Sequence, residues 1–278
     1  MDNEQKMLLS HPAELTEAEF SVDLFVEASD SLSRQLGMDY LRIGGGVAAL
    51  MSNDPTGFYW SRVLGLGWTE PITDDLVAEI LNWYRSHGGS SVIFQVSPLV
   101  AQSDWQAVLE RAGFTAGGSW VKCIRDTSPP VTAPTDLQIR PLTEEDGKRY
   151  AEVYWAGFEL EDPLFIEWMS GQPTMAHWRT FGAFDGDELA AVGALFLDGD
   201  YGGMSGAATL PAYRNRGAQG ALIAARVEVA ATEGCHWVIS ETGAETVDDP
   251  NPSLHNLHRH GFTDLYGRRN WRIKLSDQ

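Results

Sequence analysis

Apolar residues recur at helical spacing through residues 12–35, with Leu15, Phe20, Leu24, Phe25 and Leu32 on the pattern, and predict one or two helices. Past Gly37 the period shortens to that of strands. Residues 41–51 and 58–66 flank Ser52-Asn-Asp-Pro-Thr-Gly57 and predict a strand–turn–strand hairpin. Helical spacing returns over 73–86, with Thr73 or Asp74 as cap and Leu76, Ile80 and Trp83 on one face. A buried strand at 91–96, a short helix at 105–112 stopped by Gly113, and a strand at 119–125 complete the first half.

Residues 127–135 hold three prolines and no charge, which predicts a stiff linker and a domain boundary. Beyond it a strand at 137–142 leads into Thr143-Glu-Glu-Asp146, a capping box that opens a helix toward Phe158. Pro163 and Pro173 break 159–174 into a loop or short helix. Strands at 179–184, 188–197 and 201–210 are separated by Asp185-Gly-Asp and Asp198-Gly-Asp, both hairpin signals, and predict an antiparallel meander. Ala218, Ala221, Leu222, Ala225 and Val229 form the apolar face of a helix ended by Gly234. A strand at 235–240, a short helix at 253–259 and a strand at 271–275 follow. The expected division is therefore a domain at 1–126, the linker at 127–135 and a second domain at 136–278.

Composition fits such a pair. The chain has 278 residues, 43% hydrophobic content and ten tryptophans, enough for two cores. It lacks a long apolar run and a signal peptide, and Cys123 and Cys235 sit in apolar surroundings, so the expected setting is a reducing cytoplasm. The net charge of −19 is spread evenly, with −9 on 1–126 (17 acids, 8 bases) and −10 on 136–278 (22 acids, 12 bases). That field disfavours nucleic acid and anionic membranes and would favour a cationic small molecule. No paired metal-ligand motif, serine-nucleophile motif or Walker loop is present, so no metal is expected and hydrolase and nucleotide-hydrolysing classes lose their support.

The stretch with the most chemistry is Ala207 to Arg226. A strand stopped by Pro211 feeds the turn Arg214-Asn215-Arg216-Gly217-Ala218-Gln219-Gly220, and a helix follows. Backbone N–H groups at a helix start, two guanidinium groups, and glycines that admit close approach make an anion cradle suited to a pyrophosphate. Strand, Pro-x-Tyr-Arg, Arg-x-x-Gly turn and alanine-rich helix together resemble the acyl-CoA motif of the GNAT (Gcn5-related) N-acetyltransferase superfamily. Gln219 stands where the family has a second small residue, with Gly220 one place later. The order β-α-α-β-β-β-α-β-α-β over 136–278 resembles that family as well.

The halves also repeat. Leu109-Glu-Arg-Ala-Gly-Phe-Thr115 echoes Leu257-His-Arg-His-Gly-Phe-Thr263, and Ser86-His-Gly88 echoes Thr232-Glu-Gly234. The resemblance thus implies an α/β (α+β) chain of two tandem GNAT-like domains, each a mixed, mostly antiparallel sheet flanked by helices. The first is degenerate: at the turn it has Gly67-Trp-Thr-Glu-Pro-Ile-Thr-Asp-Asp75, whose acids would repel a pyrophosphate.

For the second domain the resemblance implies acetyl-CoA as co-substrate. It would be held by Ala208, Thr209 and Leu210 on the strand, by Arg214, Asn215, Arg216, Gly217, Ala218, Gln219 and Gly220 in the turn, and by Asn251 and Asn256 at the next helix. An amine would attack the thioester directly, with Glu241 as general base. Leu257 occupies the family's usual tyrosine position and cannot donate a proton, which leaves water, Tyr266, or one of His255, His258 and His260 as acid. Trp155 and Trp168 with Glu161, Asp162 and Glu167 are candidates to hold a cationic acceptor. The enzyme reading stands beside a CoA-binding pseudoenzyme that acts as a sensor, and beside acyl-CoA chemistry other than amine acetylation. A monomer or a homodimer fits either.

Overall fold

The computed structural model describes residues 1–57, 59–131 and 134–275. Phe58, expected to open a strand, and Thr132 and Ala133 of the proline-bearing stretch lie outside the described residues. The chain forms two compact units. The first joins Met1–Lys122 to Leu265–Gln278, and the second is Cys123–Asp264. This differs from the linear division at 127–135: the proline-bearing stretch lies within the second unit, and the end of the chain belongs to the first.

In the first unit, helix α1 (Asn3–Val26) is opened by Asp2, whose carboxylate accepts the Gln5 N–H. It starts well before the expected residue 12 because its first turns, residues 3–8, are almost wholly exposed and so carry no buried apolar face for a periodicity to register. Helix α2 (Asp30–Leu36) ends at Gly37 with φ 61°. Strands β1 (Met38–Ile43) and β2 (Gly46–Met51) are antiparallel and join through Gly44-Gly45, φ 64° and 74°. The single strand expected at 41–51 is thus a two-residue hairpin, its twist permitted by two glycines with positive φ. Strand β3 (Arg62–Leu64) pairs antiparallel with β2 and parallel with β4 (Ser91–Gln95). Helices α3 (Asp74–Ser86) and α4 (Trp105–Arg111) pack Val77, Ile80 and Leu109 against Val63, Phe94 and Trp271.

Strands β5 (Thr115–Asp126) and β11 (Thr263–Lys274) each run from one unit into the other. Residues 270–274 of β11 pair antiparallel with β4. The same strand carries Arg268, whose guanidinium donates to Glu14 (2.6 Å) and Glu17 (2.8 Å) of α1, and Arg62 and Lys122 also reach Glu17. All five residues are at most 1% exposed.

The second unit has the strand order β10-β9-β8-β7-β6, with β6 Gln138–Pro141, β7 Trp178–Asp185, β8 Glu188–Asp198, β9 Tyr201–Thr209 and β10 Trp237–Gly243. The β7–β8–β9 meander is present as expected. The box at Thr143 and Asp146 opens a 3-10 turn ahead of α5 (Gly147–Ala156). Helix α6 (Pro163–Ser170) follows. Trp155 and Trp168 are 3% and 2% exposed and pack with Phe165, so they are core and not a cation site. Helices α7 (Ala218–Thr232) and α8 (Pro252–Arg259) complete the unit.

The sequence repeat is a geometric one too. Phe114 N–H bonds Leu109 O at 3.0 Å and Phe262 N–H bonds Leu257 O at 3.1 Å, each across a left-handed glycine, Gly113 or Gly261. Among the described residues no helix is long and apolar enough to cross a membrane.

Candidate acyl-CoA cleft

The cleft lies in the second unit and begins with a bulge. Gly206 has φ 58°, and a Cβ there would sit 2.1 Å from the Tyr154 ring, so only glycine admits the turn. The register of β9 on β8 slips at this point, from Ala194↔Ser205 to Val192↔Ala208. On its other side β9 runs parallel to β10, and that ladder ends at Gly203↔Ile239 while both strands continue. Ala207, Ala208 and Thr209 therefore face a cleft of about 600 Å³ instead of a neighbouring strand. Gly157 lines the cleft directly against Ala208, where a Cβ would meet Ala208 Cβ at 2.5 Å.

The turn after β9 supplies the cradle. Asn215 and Gly217 both adopt left-handed backbone, φ 63° and 79°, around Arg216. Thr135 fixes the turn by donating to Arg216 O at 2.7 Å. Gly217 is the N-cap of α7 and offers no side-chain cap, and a Cβ on it would strike Pro134 O at 2.2 Å. The first N–H that bonds back to the cap belongs to Ala221. The N–H groups of Ala218, Gln219 and Gly220 thus point out of the helix start, toward the positive end of its dipole. In the first unit the matching helix α3 is capped by Thr73, whose hydroxyl accepts the Leu76 N–H, and carries Asp74 and Asp75 in its first turn. The two helix starts are electrostatically opposite.

Of the expected cofactor residues, Ala208, Thr209, Arg214, Asn215, Gly217, Ala218, Gln219, Gly220 and Asn256 line this one cleft. Gln219 braces it: its amide donates to Thr209 Oγ1 at 2.9 Å, so the larger side chain turns onto the strand and leaves the backbone N–H exposed to the cleft. Arg216 is not among the lining residues. It pairs with Asp136 and with Asp185 (2.7 Å), which raises its pKa above the usual arginine value. Asn251 caps α8 and donates to Gly243 O at 2.6 Å, so it positions α8 on β10. Leu210 starts the turn and does not line the cleft.

The catalytic expectations fare less evenly. Tyr266 belongs to the first unit, buried, its hydroxyl donating to Glu14 at 2.6 Å, and burial pushes its pKa well above 10. It is not a cleft residue. Glu241 is half-buried on β10 beyond the end of the ladder and is not among the residues that line the cleft. His255 pairs with Glu245 at 2.7 Å, and His258 with Asp264 at 2.7 Å. His260, one of the candidate acids, is 6% exposed, and burial lowers its pKa. Pattern reading missed Arg259, which lines the cleft and donates to Asn256 Oδ1. Its spacing from Asn256, three residues on one helix face, was the available signal.

Residues 142–262 match the Acetyltransferase (GNAT) family. Over this segment the chain is similar to a GNAT acetyltransferase domain. No curated protein matches the chain in sequence. Solved structures of similar fold include a GCN5-related N-acetyltransferase from Kribbella flavida, 13% identical with TM-score 0.64, each chain 95% covered. A tandem GNAT protein from the clavulanic acid biosynthesis pathway is 16% identical with TM-score 0.60, over 98% of this chain and 96% of that one. An acetyltransferase from the GNAT family of Colwellia psychrerythraea is 15% identical with TM-score 0.54, over 83% and 81%. The likeness to the tandem protein supports the two-copy arrangement, and the segment that matches the GNAT family carries the uncapped helix start.

Proposed function

We propose that the second unit transfers an acetyl group from acetyl-CoA to a small-molecule amine, with one active site per chain. The observation that carries this is the end of the β9–β10 ladder beside a helix start with no side-chain cap. An extended pantetheine arm can take up strand-like hydrogen bonds at Ala208 and Thr209 while the pyrophosphate meets the N–H groups of residues 218–220. Arg214 and Arg259 supply positive charge at the phosphate end. The capped, acidic start of α3 supports a first unit that binds no CoA.

In this reading the amine attacks the thioester carbonyl and loses a proton to Glu241, directly or through water. The C–S bond of the tetrahedral intermediate breaks, and solvent at the open cleft protonates the CoA thiolate. A CoA-binding sensor is the second reading, favoured by Leu257, 5% exposed at the place of the family's tyrosine.

Calorimetric titration of acetyl-CoA, followed by a thiol-release assay over a panel of amines, separates these. One site with steady thiol release supports transfer. One site without release under any amine supports the sensor, and absence of binding sinks both. Glu241→Gln is expected to lower turnover at least tenfold with unchanged CoA affinity; equal turnover at every pH removes it from the mechanism.

A further inference from the structure

Cys123 meets His258 and Asp264, two residues six apart in sequence, outside the cleft. Cys123 lies on β5, His258 on the last turn of α8 and Asp264 on β11, all within the second unit. Asp264 Oδ1 is 2.7 Å from His258 Nε2 and 3.5 Å from Cys123 Sγ, and one donor atom from each lies within 4.8 Å of the others. The carboxylate, not the imidazole, stands at the centre. A nucleophilic thiol relay needs the imidazole between thiol and carboxylate, so this arrangement is not one.

We propose that Cys123, His258 and Asp264 form a zinc site with an open fourth position toward solvent. A thiolate, an imidazole and a carboxylate are the donor types zinc takes. Tetrahedral bonds of about 2.0–2.3 Å separate ligand atoms by about 3.3–3.8 Å, so closure requires small movements. The mobile partners are the ones that must move: Cys123 is buried on its strand, whereas the His258 and Asp264 side chains are 40% and 47% exposed. Zinc replaces the Cys123 thiol proton, which passes to solvent, and thiolate and carboxylate neutralise the ion. Bound metal pins the end of α8, eight residues long, to β5 and β11. The proposal is independent of acyl transfer.

The test is titration of the full chain with cobalt(II), which accepts the same donors and reports thiolate ligation by a charge-transfer band. The expected result is a band that saturates at one equivalent and is displaced by zinc. Cys123→Ser abolishes it, Cys235→Ser retains it, and His258→Ala and Asp264→Asn each weaken affinity by at least about tenfold. The two exposed positions leave the core untouched, so they decide the matter even if Cys123→Ser does not fold. No band in the natural chain, a band that survives Cys123→Ser or is lost in Cys235→Ser, or unaltered affinity in His258→Ala and Asp264→Asn, overturns the site.

Discussion

Gly217 concentrates three demands on one residue: a left-handed φ, contact with Pro134 O, and an N-cap that leaves the helix start open. Gly217→Ala is expected to cost about 1–3 kcal/mol in urea unfolding and to weaken acetyl-CoA binding at least tenfold by calorimetry. Arg214 and Arg216, two residues apart, have different environments. Arg214 lines the cleft, and Arg216 is held by two aspartates. Arg214→Glu is expected to abolish CoA binding, whereas Arg216→Ala leaves affinity within a few-fold; a loss of equal size in both would return Arg216 to the cleft. Both arginines were legible as candidates in the sequence. Their division was not, since Asp136 and Asp185 lie 80 and 31 residues away.

At the scale of elements, the start of α5 and the buried face of α1 both depend on carboxylates. Asp146 accepts from Arg140 and from the Thr143 N–H, and these hold its pKa at about 2 against an ordinary 3.8. A depressed carboxylate contributes stability above the unfolded value and loses it as pH falls through the folded one. Asp146→Asn is therefore expected to lower unfolding free energy by about 1 kcal/mol at neutral pH, allowing for screening around the partly exposed Arg140. The difference from the natural chain should vanish between about pH 4 and pH 2 in denaturant titrations. On α1, Glu17 meets Arg62, Lys122 and Arg268 in the core. Glu17→Gln leaves buried cations uncompensated and is expected to cost about 3–5 kcal/mol, read as a fall in Tm of the first unit. The capping box announced itself as a local motif; the polar face of α1 did not, because its partners arrive from β3, β5 and β11.

For the whole molecule, the end of the chain matters most to its beginning. Residues 265–278 bring Trp271 to the α3–α4 core and Arg268 to Glu14 and Glu17. Truncation after Asp264 is expected to leave the first unit open to limited proteolysis throughout Met1–Lys122. A fragment equally resistant there would show that this unit stands without its last strand.

The sequence by itself determined most of the elements and the place of the glycine-bearing turn. Strand and helix periods, hairpin glycines, the capping box and the Arg-x-x-Gly turn are local, because backbone conformation and hydrogen bonding within a few residues decide them. The repeat at 109–115 and 257–263 likewise showed two related units. What only the tertiary structure decided was pairing at long range. It set which β11 partner completes which unit, the burial of Tyr266 against Glu14, the confinement of Arg216, and the approach of Cys123 to Asp264. Each of these follows from which surfaces the chain buries together, and no short window of sequence contains both sides of such a contact.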